Sequence, residues 1–179
     1  DHLKGYMAEL VGHPVVEKMI GAEHTKALED VKSYEGRGAM LALENRFRAA
    51  TDSLGLCWFP TEMTALGDLE HDDLSEVLSV ITGNQIDGDQ FLKIGERVHN
   101  LQKAFNIREG IKRSDDTLPR RFFVEKADEK EIPGIDPVRF QKMLDDYYRF
   151  SGWDNEGVPT RSKLDELGLA FIAEELGVK

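Results

Sequence analysis

The chain has 179 residues, 40% of them apolar and 32% charged, with a formal net charge of −11. That length suits one domain with a real core, and so negative a charge argues against nucleic acid and anionic membrane, both of which need a positive field against phosphate. No apolar run is long enough to span a bilayer and a single cysteine makes no internal disulfide, which together fit a reducing cytoplasm. The chain opens at Asp1 rather than Met, so a truncated or processed piece is expected.

Apolar spacing is helical almost throughout, without sustained strand alternation. From Glu35 to Leu54, residues Met40, Leu43, Phe47, Ala50 and Leu54 recur at three- and four-residue steps, and Gly55 follows as a stop. A second helix is predicted from Asp73 to Thr82, with Leu74, Val77, Leu78 and Ile81 on one face and Gly83 beyond its end. Asp87 and Gln90 have capping-box spacing, and Phe91, Ile94, Val98, Leu101 and Phe105 carry a third helix toward Gly110. From Gly110 to Pro137 charge, prolines and the lack of a period predict a long ordered connection. Asp136-Pro137 then starts a helix with Phe140, Met143, Leu144 and Tyr147 inward, closed by Gly152. A last helix follows Thr160 with Leu164 and Leu167, and the tail to Lys179 adds one more turn. There is no internal repeat and no low-complexity segment. The expected fold is all-α and irregular, one helical domain over residues 1–179.

The run Asp52-Ser53-Leu54-Gly55-Leu56-Cys57-Trp58 places a carboxylate, a glycine turn and the sole thiol together behind a helix. An ionised Asp accepts two parallel N–H donors, as a pyrimidinone edge would offer. A glycine ends the helix in a left-handed cap, and a thiolate just beyond it can ligate a soft metal. On chemistry alone Cys57 reads more readily as a packed small apolar residue than as a ligand, and Asp52 as a solvated helix-end carboxylate. That placement of Asp52 is slightly unfavourable, because the C-terminus is the negative end of the helix dipole. Trp58 and Phe59 read equally well as core aromatics.

Asp52 to Trp58 resembles the pterin-binding motif Asp-x-x-Gly-Leu-Cys-x of the tungsten-containing aldehyde ferredoxin oxidoreductase family. Further stretches resemble that family in order: His2-Leu3-Lys4-Gly5-Tyr6; Gly95-Glu96-Arg97 with Phe105-Asn106-Ile107-Arg108-Glu109-Gly110; Asp115-Asp116-Thr117-Leu118-Pro119-Arg120-Arg121-Phe122; then Asp146-Tyr147-Tyr148, Gly152-Trp153 and Gly157-Val158-Pro159-Thr160. The resemblance covers nearly the whole chain but only the C-terminal third of a family member. It implies a parent enzyme that oxidises aldehydes to carboxylic acids at a tungstopterin (a bis-molybdopterin tungsten centre) and passes electrons through a [4Fe-4S] cluster to ferredoxin. By the same resemblance Cys57 is a cluster ligand whose three companions lie upstream, and Asp52 accepts hydrogen bonds from the pterin, with the backbone around Leu56 and Trp58 lining the ring. His2 falls on an active-site histidine and Lys4 on a cofactor-contacting lysine. An imidazole there would donate to an aldehyde oxygen or shuttle the released proton, although chain-start residues are more often frayed. With one thiol of the four a cubane needs, the fragment by itself is expected to hold neither cofactor and to be inactive.

His13, His24, His71 and His99 lack metal-ligand spacing and read as surface or satisfied core residues. Arg97, Asn106, Arg108 and Glu109 read as a buried ion-pair and hydrogen-bond set fixing a turn, or as a contact with cofactor or a neighbouring domain. Asp115-Asp116-Thr117-Leu118-Pro119 reads as a turn with local side-chain bonds. Implied partners are the rest of the parent polypeptide, the aldehyde and ferredoxin, the last needing a local basic patch or another domain to dock. Apolar surface left by missing neighbours would favour a homo-oligomer. Two rival functions stay open: a related tungsten enzyme acting on aromatic acyl-thioesters, and a helical interaction domain without chemistry.

Overall fold

A computed structural model describes residues 17–18, 21–27, 30, 32–57, 71–126 and 134–178. Among these there is no strand, and the all-α expectation holds. The helices are Ala22–Ala27, Arg37–Ser53, His71–Thr82, Gly88–Arg108, Arg121–Val124, Pro137–Ser151, Arg161–Glu166 and Ala170–Leu176, with a 3-10 turn at Arg113–Asp115.

Where a cap was legible, the structure uses it. The Asp87 N–H donates to Gln90 Oε1 at 2.9 Å and the Gln90 N–H returns to Asp87 Oδ1 at 2.8 Å, a reciprocal capping box. Asp136 Oδ1 accepts from the Arg139 N–H at 2.9 Å with Pro137 in the first turn, and Gly152 closes that helix at φ 76°. Thr160 Oγ1 accepts from the Lys163 N–H at 3.3 Å. The turn expected in the tail is the helix Ala170–Leu176, whereas Ala22–Ala27 and Arg121–Val124 escaped the sequence reading, each spanning one or two turns, too few for a period to show. The stretch expected to lack regular structure therefore carries both the 3-10 turn and a short helix.

The chain packs as two compact units, one from the described residues up to Ala42 with Gly110–Val158, the other from Leu43–Glu109 with Pro159–Lys179. In the first, Phe140, Tyr148 and Trp153 are buried. Gly38 lies so close to the Pro137–Ser151 helix that an added Cβ would stand 2.4 Å from the Met143 carbonyl oxygen. The Tyr148 hydroxyl donates to the Asp116 carboxylate, and burial together with that bond raises the phenol above its ordinary pKa. Arg113 donates to the Asn155 carbonyl at 2.6 Å, to Gln141 Oε1 at 2.9 Å and to Asp145 Oδ1 at 2.6 Å. Met143, Leu144 and Tyr147 are only half-buried, because they line an open cavity of about 600 Å³ with Leu41, Leu118 and Phe140. The side chain that fully enters the core from this helix is Tyr148.

In the second unit the His71–Thr82 helix packs on Gly88–Arg108. Ala50, Leu74 and Phe91 form one core cluster, with Phe47, Leu54, Leu78 and Ile86 against it. Ala104, Leu164, Leu167, Leu169, Ile172 and Ala173 form another. Val77, Ile81, Ile94, Leu101 and Phe105 continue the predicted apolar faces but are exposed. Periodicity marks a face; it does not say that the whole face is covered.

Candidate cofactor site

The Arg37–Ser53 helix ends in a Schellman motif. The Leu56 N–H donates to the Thr51 carbonyl at 3.3 Å and the Gly55 N–H to the Asp52 carbonyl at 3.0 Å, with Gly55 at φ 72°. Thr51 is buried and anchors the turn from below, its hydroxyl bonded to the Arg48 carbonyl at 2.9 Å. The consequence is a sharp exit, with Asp52, Leu56 and Cys57 exposed at this helix end. Asp52 Oδ2 lies 3.7 Å from Arg48 Nε, a loose surface pair with little hold on the carboxylate. Cys57 is exposed and, as the sole cysteine, makes no disulfide within the chain.

Asp52, Leu56 and Cys57 are thus brought together. His2, Lys4 and Trp58 lie outside the described residues. Arg97, Asn106, Arg108 and Glu109 form no buried set: all four are exposed, and Arg108 pairs with Glu109 and with Glu175, each at 3.2 Å, on the surface. Among the described residues no three His, Cys, Asp or Glu side chains converge as metal ligands. His24 stacks edge-on against Phe150 at 5.4 Å, and His71 sits 3.8 Å from Asp72. His99 is held neutral: burial first, then the cations of Arg46 and Lys103, push its pKa down to about 4.

The sequence reading missed a charge set directly beneath the helix that carries Asp52. Glu96 is 6% exposed, and both Arg46 Nη2 and Lys163 Nζ stand 3.0 Å from its Oε1, off the direction of a hydrogen bond. Lys163 also donates to Glu166 at 2.8 Å, which lowers the Glu166 pKa. The neighbouring Gly95 touches backbone: an added Cβ would lie 1.7 Å from the Arg46 carbonyl oxygen and 3.0 Å from the Ala50 nitrogen. Both residues belong to a stretch that the family resemblance marked, but spacing along the chain gives no sign of partners fifty and sixty-seven residues away.

The family model described as "Aldehyde ferredoxin oxidoreductase, domains 2 & 3" matches residues 1–169. The chain belongs to the aldehyde ferredoxin oxidoreductase family. Tungsten-containing aldehyde ferredoxin oxidoreductases of Pyrococcus furiosus and Thermococcus kodakarensis are each 37% identical to it over 94% of its length. The chain spans about a quarter, 26%, of those relatives. Among solved structures it is similar to the active site complex BamBC of benzoyl coenzyme A reductase in complex with 1,5-dienoyl-CoA. That likeness has a TM-score of 0.69 at 20% identity and covers 96% of this chain and 26% of the other. It concerns the fold. As a donor set, one exposed thiol and one exposed carboxylate at the same helix end suit a single contribution to a shared cofactor site rather than a site complete among the described residues.

Proposed function

We propose that this chain is part of a tungsten oxidoreductase that converts aldehydes to carboxylic acids, and that its contribution is the Asp52–Cys57 turn. The observation that carries the reading is the Schellman exit, which exposes a carboxylate and the sole thiol on one helix end. Asp52 would accept paired N–H donors from the pterin of a tungstopterin, with the backbone at Leu56 and Trp58 against the ring. Cys57, as the thiolate, would hold one corner of a [4Fe-4S] cluster with three cysteines from elsewhere in the longer protein. When bound, these groups supply the oxo-transfer and electron-carrying chemistry that no side chain has. His2 would donate a hydrogen bond to the aldehyde oxygen or accept the proton released, and Lys4 would place a positive charge on the cofactor's anionic periphery. Ferredoxin would be the electron acceptor.

A second reading, reduction chemistry on an aromatic acyl-thioester, draws on the fold likeness to the benzoyl coenzyme A reductase complex. The 37% identity to aldehyde-oxidising relatives against 20% to that complex favours the aldehyde. The test is metal analysis of the full-length gene product purified without oxygen, followed by assays with aliphatic and aromatic aldehydes beside a reduced aromatic thioester. Tungsten with roughly four irons per chain and aldehyde-dependent ferredoxin reduction are expected. A folded protein without tungsten or iron would overturn the reading, and turnover of the thioester alone would replace it with the second.

A further inference from the structure

We propose that Gly95 and Glu96 are positioning residues for the Asp52–Cys57 turn, an inference that rests on the function proposed above. The turn is held within itself by the Schellman bonds and the Thr51 hydroxyl, which close within residues 48–56. Its place in the unit is set by Leu54, packed against the Ala50, Leu74 and Phe91 cluster, and by contacts further back along the helix that carries it. There the Gly88–Arg108 helix meets the stretch from Arg46 to Ala50, and Gly95 lets the two backbones touch. Any Cβ at 95 would drive the helices apart by more than an ångström, because close-packed backbone has no side chain that can yield.

Glu96 fixes the same crossing by charge. Its buried carboxylate lies between Arg46, on the helix that ends in the turn, and Lys163, on the Arg161–Glu166 helix. Three segments are tied at one oxygen. The Asn100 side chain, also buried, donates to the Glu96 carbonyl at 2.9 Å and holds the backbone there. Because a helix moves as a rod, a shift at Arg46 passes undiminished to Asp52, fewer than two turns on. A cofactor ligand displaced by an ångström loses its geometry, and outer residues that orient ligands are commonly worth ten- to a hundredfold in metal affinity or activity.

The experiment uses the full-length enzyme loaded with its metals and reads the EPR spectrum of the reduced cluster beside iron content and rate. Two variants are compared with wild type: Gly95→Ala, and the triple change Arg46→Met, Glu96→Leu, Lys163→Met. The triple variant removes every charge of the set at once, a replacement that commonly leaves stability unchanged or raised. Both variants should keep the wild-type iron content, show a shifted EPR spectrum and lose roughly ten- to a hundredfold in aldehyde oxidation. Folded variants with an unshifted spectrum would overturn the proposal. A triple variant that unfolds would also overturn it, since the set would then serve stability alone. Cys57→Ser in the same enzyme separates the two levels of argument. If its spectrum matches wild type the cluster assignment fails, whereas a changed Cys57→Ser spectrum with unchanged Gly95→Ala and triple-variant spectra rejects only the positioning role.

Discussion

The Asp52–Cys57 turn and the Gly95–Glu96 crossing beneath it are built in opposite ways. The turn is local: its Schellman bonds close within a few residues, and Asp52 and Cys57 are exposed. The crossing is non-local and buried, drawing Arg46, Glu96 and Lys163 from three segments onto one carboxylate. The exposed residues proposed to do the chemistry therefore contribute little to holding the unit together, whereas Gly95 and Glu96 at the crossing are buried. Changes at the two places should separate accordingly.

The largest effect is expected from breaking the crossing one-sidedly. Glu96→Leu alone removes the buried carboxylate that Arg46 and Lys163 share and should cost about 3–5 kcal/mol in urea unfolding. Next comes the pH dependence of His99, whose pKa is lowered first by burial and then by the cations of Arg46 and Lys103. Its folded pKa of about 4 lies below the ordinary 6.5, so the unfolded chain binds the proton first as pH falls. The His99 contribution is therefore complete above about pH 6.5 and is lost progressively as pH drops toward 4, up to about 3 kcal/mol. Unfolding measured between pH 7 and pH 4.5 should show this slope in wild type and a flatter one in His99→Gln.

Within the turn the effects should be smaller. Gly55→Ala places a Cβ at φ 72°, where L residues are strained even though nothing lies within 4 Å of the new methyl, and should cost about 1–2 kcal/mol. Asp52→Asn removes only a loose, exposed pair with Arg48 and should change stability by less than about 0.5 kcal/mol while weakening tungsten retention in the full-length enzyme. Arg108→Ala, on the surface pairs with Glu109 and Glu175, should leave the melting temperature unchanged. A large loss from Asp52→Asn or none from Glu96→Leu would reverse the comparison.

What could be read from the sequence follows the same division. The capping box at Asp87 and Gln90, the Asp136-Pro137 start, the Gly152 stop and the Gly55 turn are local devices, so their spacing announces them. The Asp52–Cys57 motif was legible because it is continuous. Glu96 was not, since nothing in Gly95-Glu96-Arg97 says that the middle residue turns inward to meet cations from distant segments. Attention went instead to Arg97 and Arg108, both of which face solvent. Tyr148 was overlooked in favour of Tyr147 because adjacent aromatics on a helix give no local clue to which one the core takes, and here Asp116 and Gly157 decide it.

The central claim is that Cys57 is a cluster ligand beside the pterin contact Asp52. The most direct test is iron content with the EPR spectrum of the reduced cluster in Cys57→Ser full-length enzyme prepared without oxygen. The account predicts lost iron or a changed cluster spectrum together with impaired ferredoxin reduction. A full complement of iron, a wild-type spectrum and normal ferredoxin reduction in that variant would contradict it.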